Sequence, residues 1–194
     1  MFIKICGLST EKDVKAAISA GADALGFVFA SSPRKISPDR ALSLCKNIGD
    51  HIIRVAVMRH PTPNEWDEVK SVFAPDWLQT EHEDFKSLNL GGCKSLPVFR
   101  TGHVSEQKKL PRPMLFEGMN SGAGEKANWE EAALAATSTQ LILAGGLTTK
   151  NVEIAIKSVS PWGVDVSSGV EVAHGTKDPS KIREFIAQVR ATEQ

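Results

Sequence analysis

A cysteine lies at the end of the first apolar stretch of the chain, Phe2-Ile3-Lys4-Ile5-Cys6-Gly7. Such a stretch is typical of a strand, and in α/β proteins catalytic groups gather at the C-terminal ends of parallel strands. Because side chains alternate along a strand, Cys6 shares one face with Lys4, while Ile3 and Ile5 share the other. An isolated cysteine more often fills a core, but its position at a strand end makes Cys6 the first candidate for chemistry.

Two stretches in the last quarter of the chain end in small residues, as phosphate-binding loops do. Leu143-Ala144-Gly145-Gly146-Leu147 ends one predicted strand, and Val164-Asp165-Val166-Ser167-Ser168-Gly169 ends the next. Glycine and small hydroxyl residues let backbone N–H groups approach a phosphate, and the loops after strands seven and eight of barrel enzymes commonly do this. We therefore predict that a phosphate is bound by Gly145, Gly146, Ser167, Ser168 and Gly169.

Three charged side chains are further candidates near the ends of predicted strands. Glu117 ends Met114-Leu115-Phe116-Glu117, and a carboxylic acid opposite a thiolate forms an acid–base pair that can relocate protons. Arg34 follows the second strand and could hold a substrate carboxylate in a bidentate manner. Asp165 could contribute to the site or instead neutralise Lys4 as an interior salt bridge. For Glu117 and Arg34, the alternative is an ordinary solvated surface charge.

Composition narrows the classes of function. The 194 residues include 23 Lys plus Arg and 23 Asp plus Glu, so the formal net charge is zero and gives no reason to expect a nucleic acid or membrane partner. Cysteines at positions 6, 45 and 93 without a C-x-x-C pair are typical of free thiols in a reducing compartment. The five histidines lack metal-ligand spacing, so no metal is predicted. Without a signal-peptide pattern, a cytoplasmic location is expected.

The elements that must position these residues alternate in a regular order. The predicted strands are 2–6, 24–29, 52–58, 77–79, 96–99, 113–117, 141–144 and 163–167. The predicted helices are 11–20, 38–47, 63–73, 83–89, 128–137, 149–158 and 179–190, with 104–109 as a weak addition. Eight strands alternating with helices predict a (β/α)8 TIM barrel formed by one domain over residues 1–194, with an open doubly wound sheet as the alternative.

Over essentially its whole length, the chain resembles the phosphoribosylanthranilate isomerase family of tryptophan biosynthesis. The resemblance rests on five ordered motifs: Lys4-Ile5-Cys6-Gly7; Gly21-Ala22-Asp23 with Gly26-Phe27-Val28-Phe29; Ser32-Pro33-Arg34; Leu143-Ala144-Gly145-Gly146-Leu147 with Asn151; and residues 164–171 with Lys177-Asp178-Pro179. It implies a (β/α)8 barrel, no cofactor, a small phosphorylated substrate and an Amadori rearrangement of N-(5-phosphoribosyl)anthranilate. The chain would act as a monomer or homodimer.

The resemblance also implies roles for individual residues. Cys6 matches the general base of the family, and Arg34 matches the contact to the anthranilate carboxylate. The two glycine-rich stretches match the phosphate region, and Asp165 matches a polar position inside the active site. Gln79 is kept from the family's Gln-Leu-His-Gly stretch after strand four, which reads Gln79-Thr80-Glu81-His82 here. We therefore expect Gln79 to contact substrate.

The acid position departs from the commoner family pattern. There the acid is an aspartate at the end of strand six, followed by a Gly-Gly-Thr-Gly stretch. Here the aligned residues are Glu117 and Ser121-Gly122-Ala123-Gly124. The carboxyl group is kept but its side chain is one methylene longer, so Glu117 is the predicted acid.

Two other classes of function stay open at this point. A Schiff-base lyase would use Lys4 as its nucleophile, although the predicted depth of Lys4 below the mouth of the barrel argues against it. A non-catalytic barrel that binds sugar phosphates would keep the glycine-rich loops without an acid–base pair. A related isomerase of histidine biosynthesis would be expected to use aspartates at the ends of strands one and six, and Cys6 argues against that reaction.

Overall fold

The computed structural model describes residues 1–102, 104, 109–119 and 126–193. Its barrel strands are β1 (Phe2–Cys6), β2 (Ala24–Val28), β3 (Ile53–Val57), β4 (Trp77–Glu81), β5 (Lys94–Arg100), β6 (Met114–Glu117), β7 (Leu141–Leu143) and β8 (Gly163–Val166). Each strand pairs in parallel with the next, and β8 pairs with β1, which closes the barrel. The predicted (β/α)8 barrel is confirmed, and the open doubly wound sheet is excluded.

Helices follow most of the strands. The α-helices are α1 (Glu11–Ala20), α2 (Pro38–Leu44), α3 (Pro63–Phe73), α4 (Trp129–Ala136), α5 (Val152–Val159) and α6 (Pro179–Ala191). After β8 the chain forms a short 3₁₀-helix, Ser168–Val170, and a small antiparallel hairpin of β9 (Glu171–Ala173) and β10 (Thr176–Lys177). None of the helices in the described part of the chain combines the length and apolar character that a membrane crossing requires.

The predicted helix over 83–89 is wrong. A five-residue 3₁₀-helix, His82–Lys86, stands in its place. The Asp84 carboxylate accepts hydrogen bonds from the Thr80 hydroxyl at 2.5 Å and the His60 backbone N–H at 3.2 Å, which ties this turn to the top of the barrel. These bonds hold the segment against the strand ends, where it forms the tighter 3₁₀ turn. Of the weak helix 104–109, residues 105–108 lie outside the described residues.

Strand alternation divides the core into two parts. Side chains that face outward from the strands, such as Ile3, Ile5 and Phe116, pack against the helices. Side chains that face the barrel axis form a separate apolar cluster of Ala24, Val55, Trp77, Leu96, Val98, Leu115, Ile142 and Ala144. Phe2 stacks between Trp77 and Trp162, with ring centroids 5.5 and 4.7 Å apart, and fills the N-terminal end of the barrel. The polar side chains of the barrel interior therefore lie toward the C-terminal ends of the strands.

Candidate active site

A cavity of about 360 Å³ lies at the C-terminal ends of the barrel strands, within the size range of small-molecule sites. Cys6 reaches it from the last position of β1 and Glu117 from the last position of β6. Nine of the ten predicted site residues line this cavity: Cys6, Arg34, Gln79, Glu117, Gly145, Gly146, Asp165, Ser167 and Ser168. Residues that are far apart in sequence therefore lie together at the strand ends, as the position of catalytic groups in barrels predicts.

Below Cys6 lies a buried ion pair. Lys4 Nζ is 2.8 Å from Asp165 Oδ1, and the Lys4 side chain is fully buried. Burial has the largest single effect and opposes the charge of Lys4, but Asp165 and Cys6 together outweigh it and raise the pKa of Lys4. The interior salt bridge that the sequence offered as one role of Asp165 is present, and Asp165 also lines the cavity.

The Cys6 thiol is packed closely against this pair. Burial raises the pKa of Cys6, and the positive charge of Lys4 opposes that rise. A Cβ atom at Gly26 would lie 3.1 Å from Cys6 Sγ and 3.2 Å from Lys4 Cε, so only glycine leaves both side chains undisturbed. The thiol therefore has a cation beside it that can stabilise a thiolate against the effect of burial.

Arg34 is held by a buried carboxylate. Its Nε and Nη2 atoms donate to Glu171 Oε1 and Oε2 at 2.7 and 2.9 Å, and Lys177 Nζ lies 2.6 Å from Glu171 Oε1. Burial works against the charge of Glu171, but its bonds to Arg34 and Lys177 prevail and lower the pKa of Glu171 to about 2. One edge of the Arg34 guanidinium is thus occupied, and a substrate carboxylate would have to approach its Nη1 end.

The first glycine-rich loop has a backbone that favours glycine. Gly145 and Gly146 have φ values of 84° and 64°, in the region where other residues are strained. Asn151 fixes the loop, because its Nδ2 donates to the Gly146 carbonyl and its Oδ1 accepts from the Thr148 N–H, both at 2.8 Å. The half-buried backbone of this loop lines the cavity in a fixed conformation.

The second loop packs directly on the first. A Cβ atom at Gly169 would lie 1.9 Å from the Leu147 carbonyl oxygen, so a side chain there would force the two loops apart. Ser167 Oγ donates to the Cys6 carbonyl at 3.1 Å and lies 3.1 Å from Lys177 Nζ. Gly169 is the one predicted site residue that does not line the cavity. It instead sets the spacing between the two loops that do.

The opposite wall carries the predicted acid. Glu117 Oε1 lies 3.1 Å from Arg100 Nη1, and Arg100 Nη2 also donates to Glu81 Oε1. Gln79 is buried beside them, and its Oε1 atom has no hydrogen-bond partner among the described residues. Leaving a buried carbonyl oxygen without a hydrogen-bond donor costs free energy, and a ligand N–H or O–H that bonds to it can remove that cost.

Comparison with known proteins identifies the family. The family model of N-(5'-phosphoribosyl)anthranilate (PRA) isomerase matches residues 3–188. The chain belongs to this isomerase family. The N-(5'-phosphoribosyl)anthranilate isomerase of Streptococcus mutans is 37% identical over 192 residues, which are 97% of this chain and 98% of that protein.

Solved structures of the same family share the fold. The phosphoribosyl anthranilate isomerase of Thermus thermophilus superposes with a TM-score of 0.83 and 28% identity, covering 98% of this chain and 99% of that one. Another isomerase structure, at a TM-score of 0.80 and 26% identity over 98% of this chain and 99% of its own, holds reduced 1-(o-carboxyphenylamino)-1-deoxyribulose 5-phosphate. The chain is an aldose–ketose isomerase of tryptophan biosynthesis with a small-molecule substrate.

Within this isomerase, sequence reasoning missed several residues of the site. Glu171 and Lys177, which hold Arg34 and Ser167, appeared only as letters of a family motif. Arg100 and Glu81 end β5 and β4 and line the cavity, so the strand-end rule could have found them. The stretch Ser121-Gly122-Ala123-Gly124, which follows the predicted acid, lies outside the described residues.

Replacing Gly169 by alanine is expected to separate the two loops and weaken binding of the phosphorylated substrate. The KM of the isomerase should rise roughly tenfold or more, because overpacking at a rigid site costs about 1–3 kcal/mol. Gly92→Ala is the matched control, since a Cβ there meets no atom within 4 Å. A Gly169→Ala enzyme with the KM of the wild type would contradict this role of Gly169.

Glu171→Gln is expected to destabilise the isomerase in a pH-dependent way. The pKa of Glu171 is about 2 in the fold against an ordinary value of 4.5, so its stabilisation is complete above about pH 4.5 and is lost as the pH falls toward 2. At pH 7 the variant leaves two cations without their anion and should lose about 3–5 kcal/mol of unfolding free energy.

Urea unfolding from pH 7 down to pH 3 measures the difference in unfolding free energy between the wild type and Glu171→Gln. This difference should narrow as the pH falls. Glu153→Gln removes a carboxylate from the exposed pair with Lys157 on α5 and should leave the unfolding free energy close to that of the wild type. A difference between Glu171→Gln and wild type that stays constant down to pH 3 would contradict the assignment.

Proposed function

We propose that Cys6 and Glu117 are the base and the acid of an Amadori rearrangement of N-(5-phosphoribosyl)anthranilate to 1-(2-carboxyphenylamino)-1-deoxyribulose 5-phosphate. The observation that carries this assignment is that a thiol and a carboxyl group line one cavity from β1 and β6, three strands apart in the closed barrel. An acid and a base on separate walls can act on different atoms of one bound sugar. The reaction moves protons without net oxidation, so it requires no cofactor.

The proposed substrate has an anionic group at each end, and the site offers a place for each. The loops of Gly145–Gly146 and Ser167–Ser168, after the adjacent strands β7 and β8, would bind the phosphate. The free end of Arg34, after β2, would bind the anthranilate carboxylate. Cys6 on β1 lies between these strands, so the reacting carbons of the sugar would be held near the thiol.

The chemistry would begin with proton transfer from Glu117 to the ring oxygen of the ribose. The bond between C1 and the ring oxygen breaks, and the nitrogen lone pair forms an iminium at C1. Cys6 would act as a thiolate, having released its own proton to solvent before this step. It would remove the proton from C2, and the electrons of that C–H bond would neutralise the iminium to give an enolamine. Tautomerisation of the enolamine places the carbonyl at C2. Lys4 would stabilise the thiolate while it exists.

Gln79 and Asp165 would complete the contacts to substrate. The unpartnered Gln79 Oε1 suits a hydroxyl or amine N–H of the ligand, and Asp165 offers its cavity-facing carboxylate to a sugar hydroxyl. Use of Lys4 as a Schiff-base nucleophile is disfavoured, because its amine is fully buried and paired at 2.8 Å with Asp165. A barrel that only binds sugar phosphates would have no need of the thiol and carboxyl pair.

Three broader expectations belong to the same proposal. The chain would fold as one domain over residues 1–194, because the barrel begins at Phe2 and closes with α6 near the other end. It would act in the cytoplasm without nucleic acid or membrane partners, as its zero net charge and free cysteines suggest. It would be a monomer or a homodimer, which light scattering of the purified protein distinguishes.

Cys6→Ser is expected to lower kcat by about 10²–10⁴, the usual contribution of a general base, with little change in KM. Turnover is followed by the fluorescence of the anthranilate ribotide. Cys93→Ser, at a half-buried thiol outside the cavity, is the control and should keep wild-type activity. Near-normal turnover by Cys6→Ser, or its rescue of a tryptophan auxotroph as well as wild type, would exclude Cys6 as the base.

Glu117→Gln is expected to lower kcat to a similar extent, because the amide keeps the shape of the side chain but cannot deliver the proton. Glu117→Asp keeps the acid and should retain more activity than the amide variant, although its carboxyl group lies further from Arg100. The same fluorescence assay measures both variants. If Glu117→Gln turns over as fast as Glu117→Asp, the proton comes from another group.

A further inference from the structure

We propose that Arg100, held from its other side by Glu81, is a positioning residue that fixes the carboxyl group of Glu117 for proton transfer. The inference rests on the proposed role of Glu117 as the acid. It assigns a function to two residues at the ends of β5 and β4 that neither the sequence motifs nor the mechanism above had used.

The three side chains come from three neighbouring strands. Glu81 ends β4, Arg100 ends β5 and Glu117 ends β6, and the register places Arg100 directly beside Glu117. All three side chains are nearly nine-tenths buried at the rim of the cavity. Charged groups so shielded from water interact more strongly than an exposed pair, so their arrangement is well defined.

Arg100 contacts both the acid and the loop that follows it. Its Nη1 atom lies 3.1 Å from Glu117 Oε1 and donates to the Gly118 and Met119 carbonyls at 3.3 and 3.2 Å. Its Nη2 atom donates to Glu81. Because both of its terminal nitrogens are directed at protein oxygens, Arg100 would act on the reaction through Glu117 and not by binding substrate.

A glutamate needs this restraint more than an aspartate would. Its extra methylene adds one rotatable bond, and so the carboxyl group can occupy more positions above the cavity. A planar guanidinium bonded at once to the carboxylate and to two backbone carbonyls of the same loop removes that freedom. A lysine, with a single flexible ammonium, cannot make these contacts in one fixed geometry.

Glu81 explains how Arg100 can hold Glu117 without keeping it ionised. One guanidinium with two carboxylates carries a net charge of −1, and one added proton brings the group to zero. With Glu81 bonded to Arg100, that proton can reside on Glu117, where the reaction needs it. The other titratable groups that line the cavity are Cys6, Arg34, Arg59, Asp165 and His174.

A double-mutant cycle between Arg100→Gln and Glu117→Gln tests the proposal. Alone, Arg100→Gln should lower kcat by about 10- to 100-fold with little change in KM, because a catalytic group displaced by about 1 Å loses up to about 100-fold in rate. In the Glu117→Gln background, the same substitution should cause no further loss of kcat. Equal fold losses in both backgrounds would overturn the proposal and indicate a direct or purely structural role.

Arg100→Lys should have a kcat as low as that of Arg100→Gln, since lysine keeps the positive charge but lacks the planar set of N–H donors. Glu81→Gln leaves Arg100 paired with Glu117 alone. In a plot of kcat against pH, this variant should shift the alkaline limb to lower pH. An unchanged limb would overturn the role of Glu81. This variant gives an independent test of the network if Arg100→Gln does not fold.

Arg54→Gln is the matched control. Arg54 also forms a two-point ion pair, with Asp76 at 3.1 Å, but near the N-terminal end of β3. Its loss should change stability and leave kcat unaltered. Absence of isomerase turnover in the wild-type protein would refute the proposed function itself. Turnover in the wild type with additive losses in the cycle would refute only the role of Arg100.

Discussion

Closure of eight strands into a barrel is the constraint on which the site depends. A closed barrel has one interior, and strand alternation assigns every second side chain to it. The lower part of that interior is filled by an apolar cluster and by the stack of Phe2 with Trp77 and Trp162. The charged groups of the interior therefore lie above this apolar part, from the Lys4–Asp165 pair to the strand ends, and each must find a partner among its neighbours.

These partnerships divide the site by charge. Between β8 and β2, Arg34 and Lys177 share the single carboxylate of Glu171, which leaves one positive charge in excess. Across β4 to β6, Glu81 and Glu117 share the single guanidinium of Arg100, which leaves one negative charge in excess. The wall between β8 and β2, which would bind the anionic ends of a substrate, thus attracts anions. The wall across β4 to β6, which would supply the proton, thus attracts protons. This asymmetry would orient a substrate with two anionic groups before any specific contact forms.

The sequence predicted the barrel and most of the polar residues that line the cavity, because both follow from local rules. Short apolar runs alternating with amphipathic stretches located the strands, and the strand-end rule predicted that Cys6, Glu117 and the glycine-rich loops would lie together. The partner of Arg34 could not be predicted, because Glu171 lies 137 residues further along the chain and is brought near only by barrel closure. The helix predicted over 83–89 is wrong because the bonds of Asp84 to nearby Thr80 and to the more distant His60 override local helix propensity.

The two halves of the proposed acid–base pair are held by different forces. Cys6 is fixed by volume: Gly26 leaves only enough space for its thiol and for the buried amine of Lys4. Glu117 is fixed by charge, through a guanidinium that joins three strand ends at the rim. A longer acid can therefore be accommodated on the β6 side, where an ionic network adapts to its length. The β1 side tolerates no such change, because close packing around a thiol has no means of adapting.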